Sequence, residues 1–558
     1  MSGPVSYRAP SQDGEALISP SIAGIDRIVE ENVRLLRSLR WSYGQTPLDQ
    51  IRLEARTELL RSAQIYTSAY RPTQGYPSSP LTDAATRTPD AAAFRAPDAA
   101  SSRIIMSGHQ PTLFHPGVWF KNFAIDRIAR VVAEGQSRSS QPRDVVAINL
   151  VIDNDVSINA SIAVPFLDPT GGLVQRSSVA YDTAAGGLPF EQNPIHDFAT
   201  FESFAASVRA VVSPLVPDPL VTRLWPHAVA AARRCENVAC AIAQARHALE
   251  AELGLRTLEV PLSVICRGEP FMTFILPILH GAARFREVYN VTAAEYRRVH
   301  HIRSAAHPVS DLGIDGEWIE LPLWVYSDAS PQRKQAWVRR YAGGLEIGDR
   351  QKLSIHLPET KMHDPAELVR RCGRDFKLRP RALVTTMFAR LVLCDLFIHG
   401  IGGATYDELG DQITERFFGV RPPRWMLATA TVRLPVDRKR LRFQARGVAA
   451  VRDRIRRTRY APETFAGEAD LPEHLVAEKR RLIANEPPRG NRKAWHDAID
   501  AINLQLAAKL DNLRERLAQE LIAARSEEAS QTILQSREHP FCLFPVGHLV
   551  GQFDRLLR

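Results

Sequence analysis

Residues 103–155 read RIIMSGHQPTLFHPGVWFKNFAIDRIARVVAEGQSRSSQPRDVVAINLVIDND. Arg103–Ser107 is a short apolar run that stops at Gly108, and Pro116 and Gly117 then punctuate the chain. Phe120, Ala124, Ile128 and Val131 or Val132 follow at helical spacing, and Pro142 and Arg143 close a turn. Val145–Ile152 is an apolar run of strand length that ends at Asp153-Asn154-Asp155. A run without alternation predicts burial on both faces, as in a parallel sheet. Strand, glycine-containing loop, helix and buried strand make one βαβ unit. The fold class expected is therefore α/β.

Working outward, residues 1–24 are rich in Ser, Pro and Gly and read as loose chain. Residues 25–70 predict two helices, with Ile28, Val33 and Leu36 on one and Ile51, Leu59 and Leu60 on the other. Residues 71–102 read as a linker of Pro, Ala, Ser and Thr. Beyond the βαβ unit, 195–255 look helical, 258–266 read as another buried strand, and helical patterns resume over 270–300. Ile319–Tyr326 is strand-like, but Pro322 argues against a strand there or makes it an edge. A helix-like run from Tyr406 to Phe418 follows Gly402-Gly403. From 436 onward the pattern is helical. Ile499, Ile502, Leu506, Leu510, Leu513, Leu517 and Leu521 repeat at a mean spacing of 3.67, which favours one nearly straight packed helix. The apolar tail Arg537–Phe553 is expected to dock on a core. The divisions are N-terminal helices and linker (1–102), a sheet core with a helical insertion (103–435), a helical hairpin or coiled-coil region (436–535) and a docking tail (536–558).

Composition narrows the class. Hydrophobic residues are 45% and charged residues 24% of 558, which excludes a wholly disordered or collagen-like chain. The six cysteines fall at 235, 240, 266, 372, 394 and 542, with no C-x-x-C pair. They read as reduced thiols, and with no signal peptide or membrane-length apolar run the expected location is cytoplasmic. Residues 431–460 hold 11 Arg or Lys against 2 Asp, a local +9 equal to that of the whole chain. Only Phe443 and Tyr460 could stack on bases there, so a solvated arginine-rich helix is favoured over nucleic-acid binding.

Three motifs can carry chemistry. In Ser107–Asn122, Gly108 and Gly117 allow backbone to approach phosphate at a strand-to-helix turn. His109, Gln110, His115 and Lys121 would contact its oxygens. The bland alternative is a Pro/Gly turn whose histidines satisfy local backbone. Asp153 and Asp155, beyond a strand end, could hold an amine, a ribose hydroxyl or Mg²⁺, or could simply cap a turn. His399–Glu408 carries Gly400, Gly402 and Gly403, where a ligand could approach closely, and Glu408 could bind an amine or hydroxyl.

The order of these motifs resembles the cysteine-adding enzyme family of bacillithiol biosynthesis. Gly108-His109-Gln110-Pro111, with Leu113-Phe114 and Gly117, is similar to the family's Gly-Gln-Gln-Pro loop. Asp153-Asn154-Asp155 stands where the family has an acidic His/Asp cluster. Leu378-Arg379-Pro380 and Gly402–Glu408 are similar to its Arg-Pro and Gly-Gly regions, and Leu543-Phe544-Pro545 to its Phe-Pro tail. His109 stands in place of a Gln and Asn154 in place of a His. The resemblance implies a Rossmann-like core, an ATP or ADP site, and a homodimer through the C-terminal helices. It also implies ligation of cysteine to the amine of glucosaminyl malate.

The leading expectation is a ligase forming a carbon–nitrogen bond. Its catalytic residues would be Asp153, Asp155 and His109. Its nucleotide site would be Gly108, Gln110, His115, Gly117, Lys121, Gly402 and Gly403, with Mg²⁺ as a further candidate. His115-Pro116-Gly117 also resembles the His-x-Gly of Rossmann nucleotidyltransferases, with Val118 in place of the second His. A helical scaffold or RNA-binding protein is the non-enzymatic alternative.

Overall fold

The computed structural model describes residues 7–71, 97–136, 143–169, 172–184, 186–437, 441 and 446–558. The linker expected over 71–102 lies, from 72 to 96, outside the described residues. So do the turn at Pro142 and residues 438–440 and 442–445 of the basic segment, Phe443 included.

The core is a six-stranded, mostly parallel sheet. Across it the strands run Glu15–Ser19, Met426–Thr431, Leu396–His399, Arg103–His109, Val145–Val151 and Leu258–Pro261. The last five are parallel, and Glu15–Ser19 joins antiparallel at the edge. Every residue of Val145–Val151 is buried, as a run without alternation requires. The helix Pro116–Gln136 connects Arg103–His109 to its neighbour Val145–Val151.

Taken in chain order, the parallel strands first step one way from Arg103–His109. The chain then returns to its other side with Leu396–His399 and Met426–Thr431. Strand order therefore reverses between Arg103–His109 and Leu396–His399, and the crevice beyond their carboxyl ends is where such sheets bind ligands.

Several elements differ from expectation. Glu15–Ser19 is a strand, not loose chain: five residues of the Met426–Thr431 edge pair with it. Buried strand 258–266 stops at Pro261, which has no N–H for a ladder, and Leu262–Ile265 turns into a short helix. Trp318–Tyr326 is not an edge. It lies inside a second sheet, antiparallel throughout, between Lys334–Tyr341 and Lys377–Pro380. Pro322 is tolerated because the register with Lys334–Tyr341 shifts between Glu320 and Trp324. Gly402 and Gly403 belong to the first turn of the helix Ile401–Ile413, which starts five residues before Tyr406.

The N-terminal helices Ile25–Ser38 and Leu48–Ser68 are built into the core. Arg52 and Arg56 each reach Asp395 at 3.1 Å, and the same carboxylate accepts the Ile104 N–H. At the other end of the chain Phe541–Phe544 are fully buried, and Phe541 packs on Trp119 at 4.7 Å, so the tail docks as expected.

The apolar stripe from 499 is not one straight helix. Arg492–Ala507 ends, and Asp511–Gln535 starts after a turn at Leu510, with Asp511 in the favourable first-turn position. The turn brings Ile502, Leu506, Leu510, Leu513 and Leu517 into one small core with Phe465, Leu471 and Val476. The stripe is thus covered within the chain. No helix among the described residues is long and apolar enough to cross a membrane.

Candidate functional site

A cleft of about 660 Å³ opens at the reversal of strand order. Its walls come from distant parts of the chain: Gly108–Lys121, Asn154-Asp155, Trp324 and Arg333, Pro380–Thr386, His399–Gly403, and Arg537. Gly108, His109, Gln110, His115, Gly117, Lys121, Asp155, Gly402 and Gly403, singled out in the sequence, all line it.

The helix that begins at Pro116 comes very close to the sheet. A Cβ on Gly117 would sit 2.4 Å from the Ala430 carbonyl and 2.4 Å from Arg537 Nη2, so only glycine fits. His115 is partly spent inside the turn, where its Nδ1 accepts the Gly117 N–H at 3.1 Å. Burial, with Arg537 and Lys121 nearby, pushes its pKa down to about 4 and keeps it neutral. Its Nε2 lies 3.6 Å from Glu538.

His109 is 4% exposed. Its Nε2 lies 3.0 Å from Asn122 Oδ1, and the Asn122 amide nitrogen donates to Glu250 at 2.6 Å. That orientation of Asn122 makes Nε2 the donor. Burial, reinforced by Arg246 and Lys121, holds the imidazole well below its ordinary pKa. His109 is therefore a fixed, neutral wall of the cleft.

Lys121 is 5% exposed, and its Nζ donates to the Gly108 carbonyl at 2.7 Å. Burial and the Arg246 charge lower its pKa to about 7. Opposite it the helix Ile401–Ile413 begins at Gly400 with no side-chain cap. The N–H groups of its first turn and the positive end of its dipole meet the cleft. A Cβ on Gly402 would touch nothing within 4 Å, so a ligand can come up to the backbone there. One on Gly400 would lie 4.0 Å from the Lys121 side chain.

The last residue of the strand before that helix is His399, whose Nε2 lies 2.6 Å from Asp407 Oδ2. Arg390 Nη1 donates to the same oxygen at 2.7 Å. Burial raises the Asp407 pKa, but His399 and Arg390 outweigh it and hold the carboxyl well below its usual range.

At the far wall Asp155 accepts from Gln110 Nε2 and from Arg333, both at 3.0 Å. Arg333 and Arg381 lie 4.2 and 4.3 Å from the Trp324 ring centre. Arg381 is neutralised by Glu320 at 2.6 Å. Asp153 departs from its expected role. It is buried beneath the cleft, accepting the Ser263 N–H at 2.9 Å and the Ser263 hydroxyl. Burial, with Glu191 alongside, raises its pKa to about 7. The strand has ended by this point, and 153–155 form a turn in which Asn154 is tied to the Pro380 carbonyl at 2.7 Å, so the two carboxylates do not share a face. The paired carboxylates that could hold Mg²⁺ are therefore not assembled, and Asp155, the one carboxylate lining the cleft among the described residues, is already bound by Arg333. Among the described residues no group of three His, Cys, Asp or Glu is placed to hold a metal. Glu408 also points elsewhere, 3.7 Å from His300.

Sequence reasoning missed His399 and Asp407 as a pair, and Arg333, Arg381 and Arg537 altogether. The first pair was legible, since a histidine ending a buried run before a glycine-rich helix start faces the carboxyl edge of a sheet. The arginines carry no local signal; tertiary structure brings them in.

No protein-family model matches this chain, and no curated protein does.

Proposed function

We propose that the protein is an enzyme that binds a phosphate-bearing small molecule, a nucleotide such as ATP or ADP, and joins an amino acid to a small amine. In this reading it is a divergent relative of the cysteine-adding ligases of bacillithiol biosynthesis, working in the cytoplasm on cysteine and an amino-sugar acceptor. One observation carries the reading. Four of the blocks on which the resemblance rests send residues to one cleft, at Gly108–Gln110 and Gly117, Asp155, Pro380, and Gly402-Gly403, while the Phe-Pro tail does not. Chance similarity in scattered blocks gives no reason for that.

The chemistry of the walls supports an anion. Lys121 has no carboxylate partner among the described residues, and the uncapped turn at Gly400–Gly403 offers backbone N–H groups beside it. The parallel strands, in the order 3-2-1-4-5, follow the first five of a Rossmann sheet, whose nucleotide lies at this reversal. The phosphate would rest on Lys121 and Gly400–Gly403, and Asp155 would orient the amine. When bound, the nucleotide supplies a phosphoryl group able to activate a carboxyl for amide formation. His115 and Gly117 serve the turn and add nothing that favours nucleotidyl transfer.

The test is mass spectrometry of reactions with ATP, cysteine and glucosaminyl malate, alongside calorimetry with ADP and with single-stranded RNA. Product, or ADP binding at micromolar concentration, supports the reading. RNA binding without ADP binding overturns it.

A further inference from the structure

His399 and Asp407 sit on different elements, a strand end and the second turn of a helix, and meet at 2.6 Å. Both are almost wholly buried, at 3% and 0% exposure. The helix is shaped around the imidazole: a Cβ on Gly403 would lie 2.6 Å from His399 Nδ1. Nε2 is the nitrogen near Asp407, close to the carboxylate but without a well-aligned hydrogen bond, Nδ1 is the nitrogen on the Gly403 side, and His399 and Gly403 both line the cleft. Trp425 packs edge-on to the ring at 5.4 Å. The charged groups around the pair are Arg390, which also binds Asp411 at 2.6 Å, and Lys121. Arg390 donates to the same Asp407 oxygen that approaches the ring, at 2.7 Å.

We propose that His399 and Asp407 are the acid–base pair of this cleft, with His399 Nδ1 accepting the proton of an amine nucleophile while Asp407 holds the ring and its charge. The inference rests on the ligase reading for the identity of the nucleophile. In that reaction the amine nitrogen bonds to an acyl carbon activated as a mixed anhydride with phosphate. The nitrogen's proton passes to His399 Nδ1. The carbon–oxygen bond to phosphate breaks, the phosphate keeps the electron pair, and Lys121 and the Gly400–Gly403 turn receive its charge. An imidazole between a nucleophile and an orienting carboxylate is the arrangement general-base catalysis needs.

A purely structural pair would brace the helix to the strand and do nothing more. Reactivity, protection by ADP and turnover separate the two, and nitrogen NMR of the full-length protein labelled in histidine reports the tautomer a base at Nδ1 needs. The expected wild-type spectrum has His399 protonated on Nε2 and bare on Nδ1, with that preference lost in Asp407→Asn. Diethyl pyrocarbonate should modify His399 in the wild-type protein, and ADP should protect it. His399→Gln should lower amide formation at least about 100-fold, with ADP affinity within about threefold of wild type. A proton on Nδ1, a wild-type His399 inert to the reagent, or His399→Gln turnover near wild type overturns the pair. If the wild type makes no amide, the ligase reading falls, and the tautomer and the reagent still decide the pair.

Discussion

Lys121 Nζ donates to the carbonyl of Gly108 at 2.7 Å, thirteen residues back across the strand-to-helix turn, and no carboxylate among the described residues pairs with it. A buried ammonium without a counter-charge is costly, which is why its pKa falls to about 7. An anion in the cleft would supply the missing charge and pull that pKa back up. At pH 8 the folded protein holds Lys121 largely neutral, so binding phosphate or ADP should take up close to one proton. At pH 6 the lysine is already charged and uptake from it should nearly vanish. Calorimetry in two buffers of different ionisation enthalpy measures this directly, and equal heats in both buffers at pH 8 would count against it.

The same lysine burdens the fold. In the unfolded chain it stays protonated to its ordinary pKa near 10.5, whereas the folded chain releases the proton near 7. Between those values the unfolded state holds more protons, so stability from this group rises with pH. Lys121→Met should raise the thermal midpoint at pH 7, at roughly 1 °C for each kcal/mol recovered in a chain of 558 residues. The gain should shrink as pH approaches 10, and the variant should lose anion binding. A lower midpoint at pH 7 would show that the Gly108 hydrogen bond outweighs the burial cost.

Two glycines of the site separate folding from binding. Gly117→Ala puts a methyl 2.4 Å from the Ala430 carbonyl, where backbone must move, and should cost about 1–3 kcal/mol or more. Gly402→Ala meets nothing within 4 Å and lies in a helix, where alanine gains roughly 0.5–1 kcal/mol. It should melt at or above the wild-type temperature yet bind ADP more weakly, because its methyl occupies the approach to the helix N-terminus. Thermal melts and ADP titrations of the two variants check the contrast.

How far the sequence reached depends on whether a signal was local. The run Val145–Ile152 stated its own burial, and the loop from Gly108 to Lys121 stated its place between strand and helix, so one half of the cleft was legible. The other half was not. Arg333 sits just ahead of the strand Lys334–Tyr341 in a second sheet that the sequence hid, because Pro322 interrupts its longest strand, Trp318–Tyr326. Arg537 arrives from a tail more than 400 residues away. Asp153 and Asp155 look equivalent in sequence, and only the turn over 153–155 sends one to Ser263 and the other to the cleft. The leucine stripe carried a true helical period and a false continuity. Period reports which face is buried, and a turn such as that at Leu510 leaves the period intact.

That inequality between Asp153 and Asp155 gives the sharpest test of the cleft's far wall. Asp155→Asn removes a surface carboxylate whose partners, Gln110 and Arg333, stay near water, so stability should change by less than about 1 kcal/mol. It also frees Arg333 and makes the cleft more positive, so ADP should bind at least as tightly as to wild type. If Asp155 orients the amine, amide formation should nevertheless fall, through a higher KM for the acceptor. Asp153→Asn acts beneath the site. Its carboxylate accepts two bonds from Ser263; an amide keeps the one from the N–H, but it makes the Ser263 hydroxyl the acceptor and leaves that hydroxyl's proton without its partner. That leaves a buried mismatch worth about 1–3 kcal/mol, so Asp153→Asn should lower the thermal midpoint while leaving the acceptor KM alone. Melting curves and acceptor kinetics of the two variants should therefore move in opposite columns, stability for Asp153 and acceptor KM for Asp155. Equal behaviour of the two would mean that Asp155, like Asp153, is only a structural residue.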